Sequence, residues 1–164
     1  DAIFQTMNQY EELIKTRFLV CNCDNLYSVK AIKTLLGESN YNSMIAYDFD
    51  YLEFSNDRLS SFSLLNIENN FLSKIIEKPD LKLIRNHSKK KYVSMNIFSF
   101  NGSEIYKHLR DCPINVKRGE KEIATALQNM ILENKKSVIT FPLCEHVPDL
   151  TYKDDLEKIN KFLN

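Results

Sequence analysis

The spacing of apolar residues along the chain predicts helices and strands that largely alternate. Apolar positions recur at helical spacing over residues 1–15, so the chain opens in an amphipathic helix. The run RFLVCNC then predicts a buried strand that ends at Asp24 and Asn25. The segment SVKAIKTLLGES predicts a short helix, with Ser28 as its N-cap and Gly37 at its end.

The middle of the chain predicts strands and a hairpin. SMIAYDF is typical of a second strand, and FSLLNIENNFLSKIIEKP alternates on both sides of Asn69 and Asn70. Asparagine tolerates the positive φ of a two-residue hairpin turn, so we expect a hairpin there. Because Pro79 cannot continue a ladder of hydrogen bonds, the second arm is expected to end at Glu77 and Lys78. The polar, basic segment LKLIRNHSKKK is interpreted as a surface connection.

The last part of the chain again alternates between predicted strands and helices. YVSMNIFSF and SVITFP predict strands, whereas SEIYKHL, GEKEIATALQNMILENK and KDDLEKINKFL predict helices. The whole pattern predicts one α/β domain over residues 1–164, with a mixed, mostly parallel sheet flanked by helices. Ligands collect at the carboxyl ends of strands in such sheets, where Asp24 and the Glu77-Lys78 pair lie. Asp149 lies in the loop after the last predicted strand.

Composition narrows the class of partner. Lys and Arg number 22, as do Asp and Glu, so no net field favours nucleic acid or an anionic membrane surface. The longest apolar runs are far shorter than the roughly 20 residues of a membrane span. The four cysteines are scattered, which favours reduced thiols and a cytoplasmic protein. Only three glycines are present, and this matters because phosphate-binding loops are built from glycine.

Five segments taken in order carry a family resemblance: FLVCNCDNLYS, IIEKP, YVSMNIFSF, GEKEIATALQNMI and VPDLTYKDDL. They resemble the successive motifs of the sugar-phosphate nucleotidyltransferases, such as glucose-1-phosphate thymidylyl- and uridylyltransferases, over essentially the whole chain. The resemblance implies a Rossmann-like nucleotide-diphospho-sugar transferase fold. It also implies an enzyme that joins a sugar 1-phosphate to the α-phosphorus of a nucleoside triphosphate and releases pyrophosphate. Both partners are then small molecules.

The resemblance also implies a set of site residues. Asp24 and Asp149 are expected to hold Mg²⁺, which commonly takes one or two protein carboxylates and fills its other positions with phosphate oxygens and water. Asp24 and Lys78 are the expected catalytic residues, with the Lys78 ammonium on the sugar phosphate. Glu77 is expected to accept hydrogen bonds from sugar hydroxyls. The remaining expected substrate-binding residues are Asn25 and Asn96.

The chain departs from the family pattern at several positions. Cys23, Ser63 and the segment around Thr151 stand where the family commonly has glycine. No Gly-x-Gly occurs, although the family grips the triphosphate with a glycine-rich segment after its first strand. We therefore expect an N-terminally truncated chain, the later two-thirds of a nucleotidyltransferase core, that is inactive alone. Two alternatives stay open: a non-catalytic binding or regulatory domain of the same fold, and a cytidylyltransferase acting on phosphocholine.

Other polar residues have simpler interpretations. Arg118 and Glu120 are expected at a helix start on the surface, and the lysines at 89–91 form a solvated run. A Cys₃His zinc set is an alternative, but Cys-x-Cys on a strand is more typical of core thiols. The base, the sugar and the formation of a homo-oligomer are left open by the sequence. The zinc alternative would use Cys21, Cys23, Cys144 and His146. The other two histidines, His87 and His108, are expected on the surface.

Overall fold

A seven-stranded sheet runs through the computed structural model, which describes residues 1–37, 40–86, 90–153 and 155–163. The helices are α1 (Ala2–Gln9), α2 (Val29–Leu36), α3 (Asn56–Leu59), α4 (Leu81–Asn86), α5 (Gly102–Arg110), α6 (Ile123–Glu133) and α7 (Asp155–Leu163). The strands are β1 (Arg17–Cys21), β2 (Asn42–Asp48), β3 (Ser63–Glu68), β4 (Phe71–Ile76), β5 (Tyr92–Ser94), β6 (Ile97–Asn101), β7 (Ile114–Asn115), β8 (Glu120–Lys121) and β9 (Val138–Leu143). Short 3₁₀ segments cover Glu11–Lys15 and Phe49–Tyr51.

The sheet is mixed, but the expectation that it is mostly parallel is not confirmed. The strand order is β1-β6-β2-β5-β3-β4-β9, and β9 also pairs with β2. In the described part of the chain β2 and β9 pair in parallel, whereas the other pairings of this sheet are antiparallel. The reason is that β5 and β6 run back directly beside β2, and β4 folds back on β3 through a tight turn. Neither return uses the crossover helix that parallel neighbours require.

Several local predictions are confirmed by the backbone. Asn69 and Asn70 form the hairpin turn between β3 and β4, with φ values of 51° and 66°. Ser28 caps α2 by accepting a hydrogen bond from the Ala31 N–H at 3.0 Å. The same helix ends before Gly37, as expected.

Other local predictions are corrected. The segment YVSMNIFSF is not one strand: it breaks at Asn96, whose φ of 55° ends β5 before β6 begins. Part of the predicted surface connection is helix α4, while residues 87–89 lie outside the described residues. The small antiparallel pair β7–β8 was not expected from the sequence, because two-residue strands leave no periodic pattern.

Two hydrophobic cores lie on opposite faces of the sheet. All seven residues of β2 are buried, and they alternate between the two faces. Met44 and Ala46 pack in the core that includes residues of α1, α5 and α6, whereas Ile45 and Tyr47 pack in the core that includes residues of α2. Because neither face of this central strand is in contact with solvent, apolar residues can follow one another along it, and this explains the apolar run in its middle. None of the helices in the described part of the chain has the length and apolar character that a membrane crossing requires.

Gly102 is needed where α5 begins against the 3₁₀ segment after α1. Its N–H donates to the Thr16 carbonyl at 2.9 Å, which holds the two backbones together. A Cβ atom at this position would overlap the backbone carbonyl of Leu13. The N-terminal segments therefore depend on a glycine for their docking on α5.

Substitution Gly102→Ala should destabilise the protein by about 1–3 kcal/mol, because the backbone of residues 13 and 14 must move to admit the methyl group. The measurement is the free energy of unfolding in urea. Gly37→Ala is the matched control, since Gly37 has a φ of −60° that any residue adopts. Equal losses in the two variants would contradict this account.

Candidate functional site

An open cleft of about 520 Å³ gathers all six site residues expected from the sequence. They come from four separate segments: the turn after β1, the end of β4, the break between β5 and β6, and the loop after β9. The tertiary structure thus brings together polar side chains that are far apart along the chain. The six residues are Asp24, Asn25, Glu77, Lys78, Asn96 and Asp149.

Backbone hydrogen bonds join the turn after β1 to the loop after β9. The Leu26 N–H donates to the Pro148 carbonyl at 2.9 Å, and the Leu150 N–H donates to the Asp24 carbonyl at 2.8 Å. Between these bonds Asn25 lies directly opposite Asp149 as an isolated antiparallel bridge. This spacing is that of a non-hydrogen-bonded antiparallel pair, in which facing side chains approach closely.

The two carboxylates of the expected metal site differ in environment. Asp24 is exposed and forms no side-chain hydrogen bond or ion pair with the described residues. Asp149 is 8% exposed, and its Oδ1 accepts a hydrogen bond from the Thr151 hydroxyl at 2.5 Å. The same oxygen lies 3.2 Å from Nη2 of Arg58. Oxygen donors are the type of ligand that Mg²⁺ takes, one or two from the protein and the rest from phosphate and water. In the described part of the chain, however, no group of three or more His, Cys, Asp or Glu residues is arranged to hold a metal.

The zinc alternative is wrong for the described part of the chain, where no group of three or more His, Cys, Asp or Glu residues is arranged to hold a metal. Cys21, Cys23 and Cys144 are exposed free thiols. The Cys144 sulfur lies 3.5 Å from the Asp48 carboxylate, and His146 Nδ1 accepts the backbone N–H of Glu53 at 3.2 Å.

Glu77 and Lys78 project from the end of β4 into the cleft. The Glu77 carboxylate accepts a hydrogen bond from the hydroxyl of Ser63, a residue that stands where the family commonly has glycine. Lys78 has a φ of 44°, and its ammonium makes no hydrogen bond or ion pair with the described residues. The end of the hairpin thus presents a held carboxylate beside an unpaired cation.

Arg118 and Glu120 also line this cleft; their side chains are 44% and 46% exposed, in agreement with the expected surface position, but they lie in the β7–β8 hairpin rather than at a helix start. Arg118 lies between two carboxylates, 3.2 Å from Glu120 and 2.9 Å from Glu122. A hydrogen bond from Asn115 lowers the pKa of Glu122, and the Arg118 and Lys78 charges act in the same direction. The β7–β8 pair places these residues here, and the sequence carries no periodic signal for it.

The Tyr27 hydroxyl makes hydrogen bonds with residues that line the cleft. It lies 2.6 Å from the Met95 carbonyl, 3.1 Å from Asn25 Oδ1 and 3.3 Å from the Asn22 N–H. Burial raises the pKa of this phenol, so the hydroxyl keeps its proton at neutral pH. One side chain therefore ties the turn after β1 to the strand break at Asn96, a role that the sequence analysis did not identify.

The sequence patterns also give no role to Arg58. It lies in α3, and its guanidinium contacts both Asp149 and Asp155. An arginine in a short segment is normally exposed, so the sequence offers no signal for a guanidinium that is only 14% exposed.

Solved structures with a similar fold are nucleotidyltransferases. A Bacillus anthracis protein described as a glucose-1-phosphate thymidylyltransferase, in complex with sucrose, is 17% identical with a TM-score of 0.66, and the match covers 96% of this chain and 59% of that one. A UDP-glucose pyrophosphorylase complexed with UDP-glucose is 15% identical with a TM-score of 0.69, covering 99% of this chain and 60% of that one. A UTP-bound UGPase from Acinetobacter baumannii is 12% identical with a TM-score of 0.67. This match covers 96% of this chain and 54% of that one.

The fold is that of the sugar-phosphate nucleotidyltransferases. The chain spans less than two thirds of the length of each of these structures. No protein-family model matches the sequence, and no curated protein matches it.

Substitution Tyr27→Phe should lower the free energy of unfolding by about 1–3 kcal/mol, because the buried Met95 carbonyl loses its hydroxyl partner. Urea denaturation measures the change. Tyr51→Phe is the control, since Tyr51 is exposed and its substitution should alter stability by less than about 0.5 kcal/mol. A Tyr27→Phe variant as stable as the control would show that the hydroxyl does not hold the turn.

Proposed function

We propose that this chain is the sugar-phosphate- and metal-binding part of a sugar-1-phosphate nucleotidyltransferase. The observation that carries the proposal is the convergence of Asp24, Glu77, Lys78 and Asp149 on one cleft. These residues follow the ends of strands or lie in the loop after the last strand, and they belong to the segments that resemble the family's motifs. The similarity in fold to solved nucleotidyltransferases supports the same assignment.

The reaction attaches a sugar 1-phosphate to the α-phosphorus of a nucleoside triphosphate. In our proposal the Lys78 ammonium binds the sugar phosphate. It has no hydrogen bond or ion pair with the residues that the structure describes, which leaves it available for that anion. Glu77, held by Ser63, accepts hydrogen bonds from sugar hydroxyls. Asn25 and Asn96, which line the same cleft, contact the substrates.

Asp24 and Asp149 would hold Mg²⁺, which supplies positive charge against the phosphates when it is bound. The carboxylates themselves orient that charge toward the cleft. Phosphoryl and nucleotidyl transfer depend mainly on positioning of the reactants and stabilisation of charge on the phosphates. In our proposal these few residues supply both contributions.

We propose that residues 1–164 alone do not catalyse transfer, because they contain no Gly-x-Gly segment of the kind that binds a triphosphate. Solved neighbours were crystallised with UDP-glucose and with UTP. A uridine or thymidine triphosphate and glucose 1-phosphate are therefore the first substrates to test.

A second candidate is a binding domain of the same fold that performs no transfer. Two contacts favour it, since Asp149 is already paired with Arg58 and Glu77 is already bonded to Ser63. Such a domain would bind a sugar phosphate or nucleotide sugar without releasing pyrophosphate.

Pyrophosphate release by the complete protein tests the proposal, with glucose 1-phosphate and either UTP or dTTP, and with phosphocholine and CTP as the competing pair. Asp24→Asn should abolish release while leaving the fold intact, because the cation loses a charged ligand and no packing changes. Asp50→Asn, an exposed aspartate outside the cleft, is the control. Ligand binding without release in the wild type would favour the binding domain, and full turnover by Asp24→Asn would remove Asp24 from the mechanism.

Lys78→Ala should raise the KM for the sugar 1-phosphate roughly ten- to a hundredfold, with little change in the KM for the triphosphate, since a hydrogen bond to a charged group contributes about 1.5–3 kcal/mol. Steady-state kinetics with each substrate varied in turn measures both constants. Lys78→Arg should restore the loss only partly, because a planar fork does not replace a compact ammonium. Lys74→Ala, four residues earlier on β4 and exposed, is the matched control. An effect of Lys78→Ala on the triphosphate alone would show that this strand end does not serve the sugar.

A further inference from the structure

We propose that Arg58 is a positioning residue that fixes the Asp149 carboxylate at the cleft, and that Asp155 balances the Arg58 charge so that Asp149 keeps its own charge for a divalent cation. The inference rests on the proposed function, because it concerns the carboxylate assigned there to Mg²⁺. It adds two residues, from α3 and from the start of α7, to which the motif resemblance gives no role.

The Arg58 guanidinium holds the Asp149 loop at two points. Its Nη2 lies 3.2 Å from Asp149 Oδ1 and donates a hydrogen bond to the Asp149 backbone carbonyl at 3.1 Å. Side chain and backbone are thereby fixed together, which restricts rotation of the carboxylate. The Thr151 hydroxyl donates to the same Oδ1 at 2.5 Å, so the contacts to Oδ1 come from two directions.

The other edge of the guanidinium makes a fork with Asp155. Nη1 donates to Asp155 Oδ1 at 2.7 Å, and Nη2 donates to Asp155 Oδ2 at 2.9 Å. Both distances are shorter than the contact with Asp149, so Asp155 is the principal partner of the Arg58 charge. The Tyr152 N–H donates to Asp155 Oδ2 at 2.9 Å, which anchors this carboxylate in turn.

Two aromatic rings hold the guanidinium in place. The Arg58 Cζ lies 4.8 Å from the ring centroid of Phe54 and 5.3 Å from that of Tyr152. Cation–π contacts of this kind favour a fixed orientation of the planar group. They also exclude water, which strengthens the ion pairs inside the cluster.

Charge counting shows why the cluster contains a second aspartate. One arginine faces two aspartates, so the three side chains carry a net charge of about −1 at neutral pH. If Arg58 faced Asp149 alone, the pair would be neutral and would attract a cation poorly. With Asp155 taking the bidentate pairing, Arg58 can orient Asp149 without cancelling its charge.

The test uses the complete protein with Mn²⁺ as a spectroscopic replacement for Mg²⁺. In Arg58→Lys the positive charge is kept but the fork is lost, because one ammonium cannot bridge both carboxylates and the Asp149 carbonyl. The dissociation constant for Mn²⁺, measured by electron paramagnetic resonance, should rise roughly tenfold, as is typical when a residue supporting a metal ligand is changed. Amide hydrogen exchange of Leu26 and Leu150 should accelerate, since their hydrogen bonds join the Asp149 loop to the Asp24 turn.

Asp155→Asn separates the charge effect from the positioning effect. Among the described residues, Arg58 then has Asp149 as its anionic partner, so Mn²⁺ binding should weaken while the Leu26 and Leu150 amides stay protected. If Arg58 and Asp155 had only a structural role, both substitutions would lower the stability of the protein, and Mn²⁺ affinity and amide exchange would not respond differently in the two variants. Arg110→Lys, an exposed arginine paired with Asp111, is the matched control and should match the wild type in both measurements.

Wild-type values of both Mn²⁺ affinity and amide exchange in Arg58→Lys would overturn the inference while leaving the proposed function in place, provided that the wild type binds Mn²⁺ and releases pyrophosphate. If Arg58→Lys does not fold, the Asp155→Asn variant tests the inference instead. An unchanged Mn²⁺ affinity in that variant overturns the inference. Absence of Mn²⁺ binding by the wild type overturns both the inference and the metal-dependent function.

Discussion

The cleft depends on two backbone hydrogen bonds, from Leu26 to Pro148 and from Leu150 to Asp24, which join the turn after β1 to the loop after β9. Without them the turn after β1 and the loop after β9 would not be paired, and the backbones of Asp24 and Asp149 would not be held in neighbouring segments. Each such bond contributes only about 0.5–1.5 kcal/mol net, because water competes for the same groups. The pairing therefore needs further support from side chains.

That support comes from Tyr27 and Arg58, which act on the two partners of the pairing. Tyr27 fastens the turn after β1 to the Met95 carbonyl at the strand break, and Arg58 fastens the loop after β9 to α3 and to the start of α7. Both polar groups are largely withdrawn from water. Because a buried polar group without a partner costs more than a satisfied one gains, each contact favours one arrangement of the cleft walls over alternatives.

The charged side chains of the cleft fall into two groups. Arg58, Arg118 and Glu122 form ion pairs with other side chains of the protein. Asp24 and Lys78 are exposed and have no ion pair in the described part of the chain. In the function proposed above, the phosphate of a metal-bound substrate would attract the lysine and the metal would attract the aspartate.

The sequence by itself determined several local features, although it did not predict the break between β5 and β6. It located the Asn69-Asn70 turn and the Ser28 cap, because these signals are local and depend on a few neighbouring residues. The same local logic selected Asp24 and Lys78 as candidates. Only the tertiary structure decided the direction of strand pairing, since an alternating apolar pattern is the same for parallel and antiparallel neighbours. It also decided the role of Arg58, because the environment of an arginine depends on which distant carboxylates and rings fold against it.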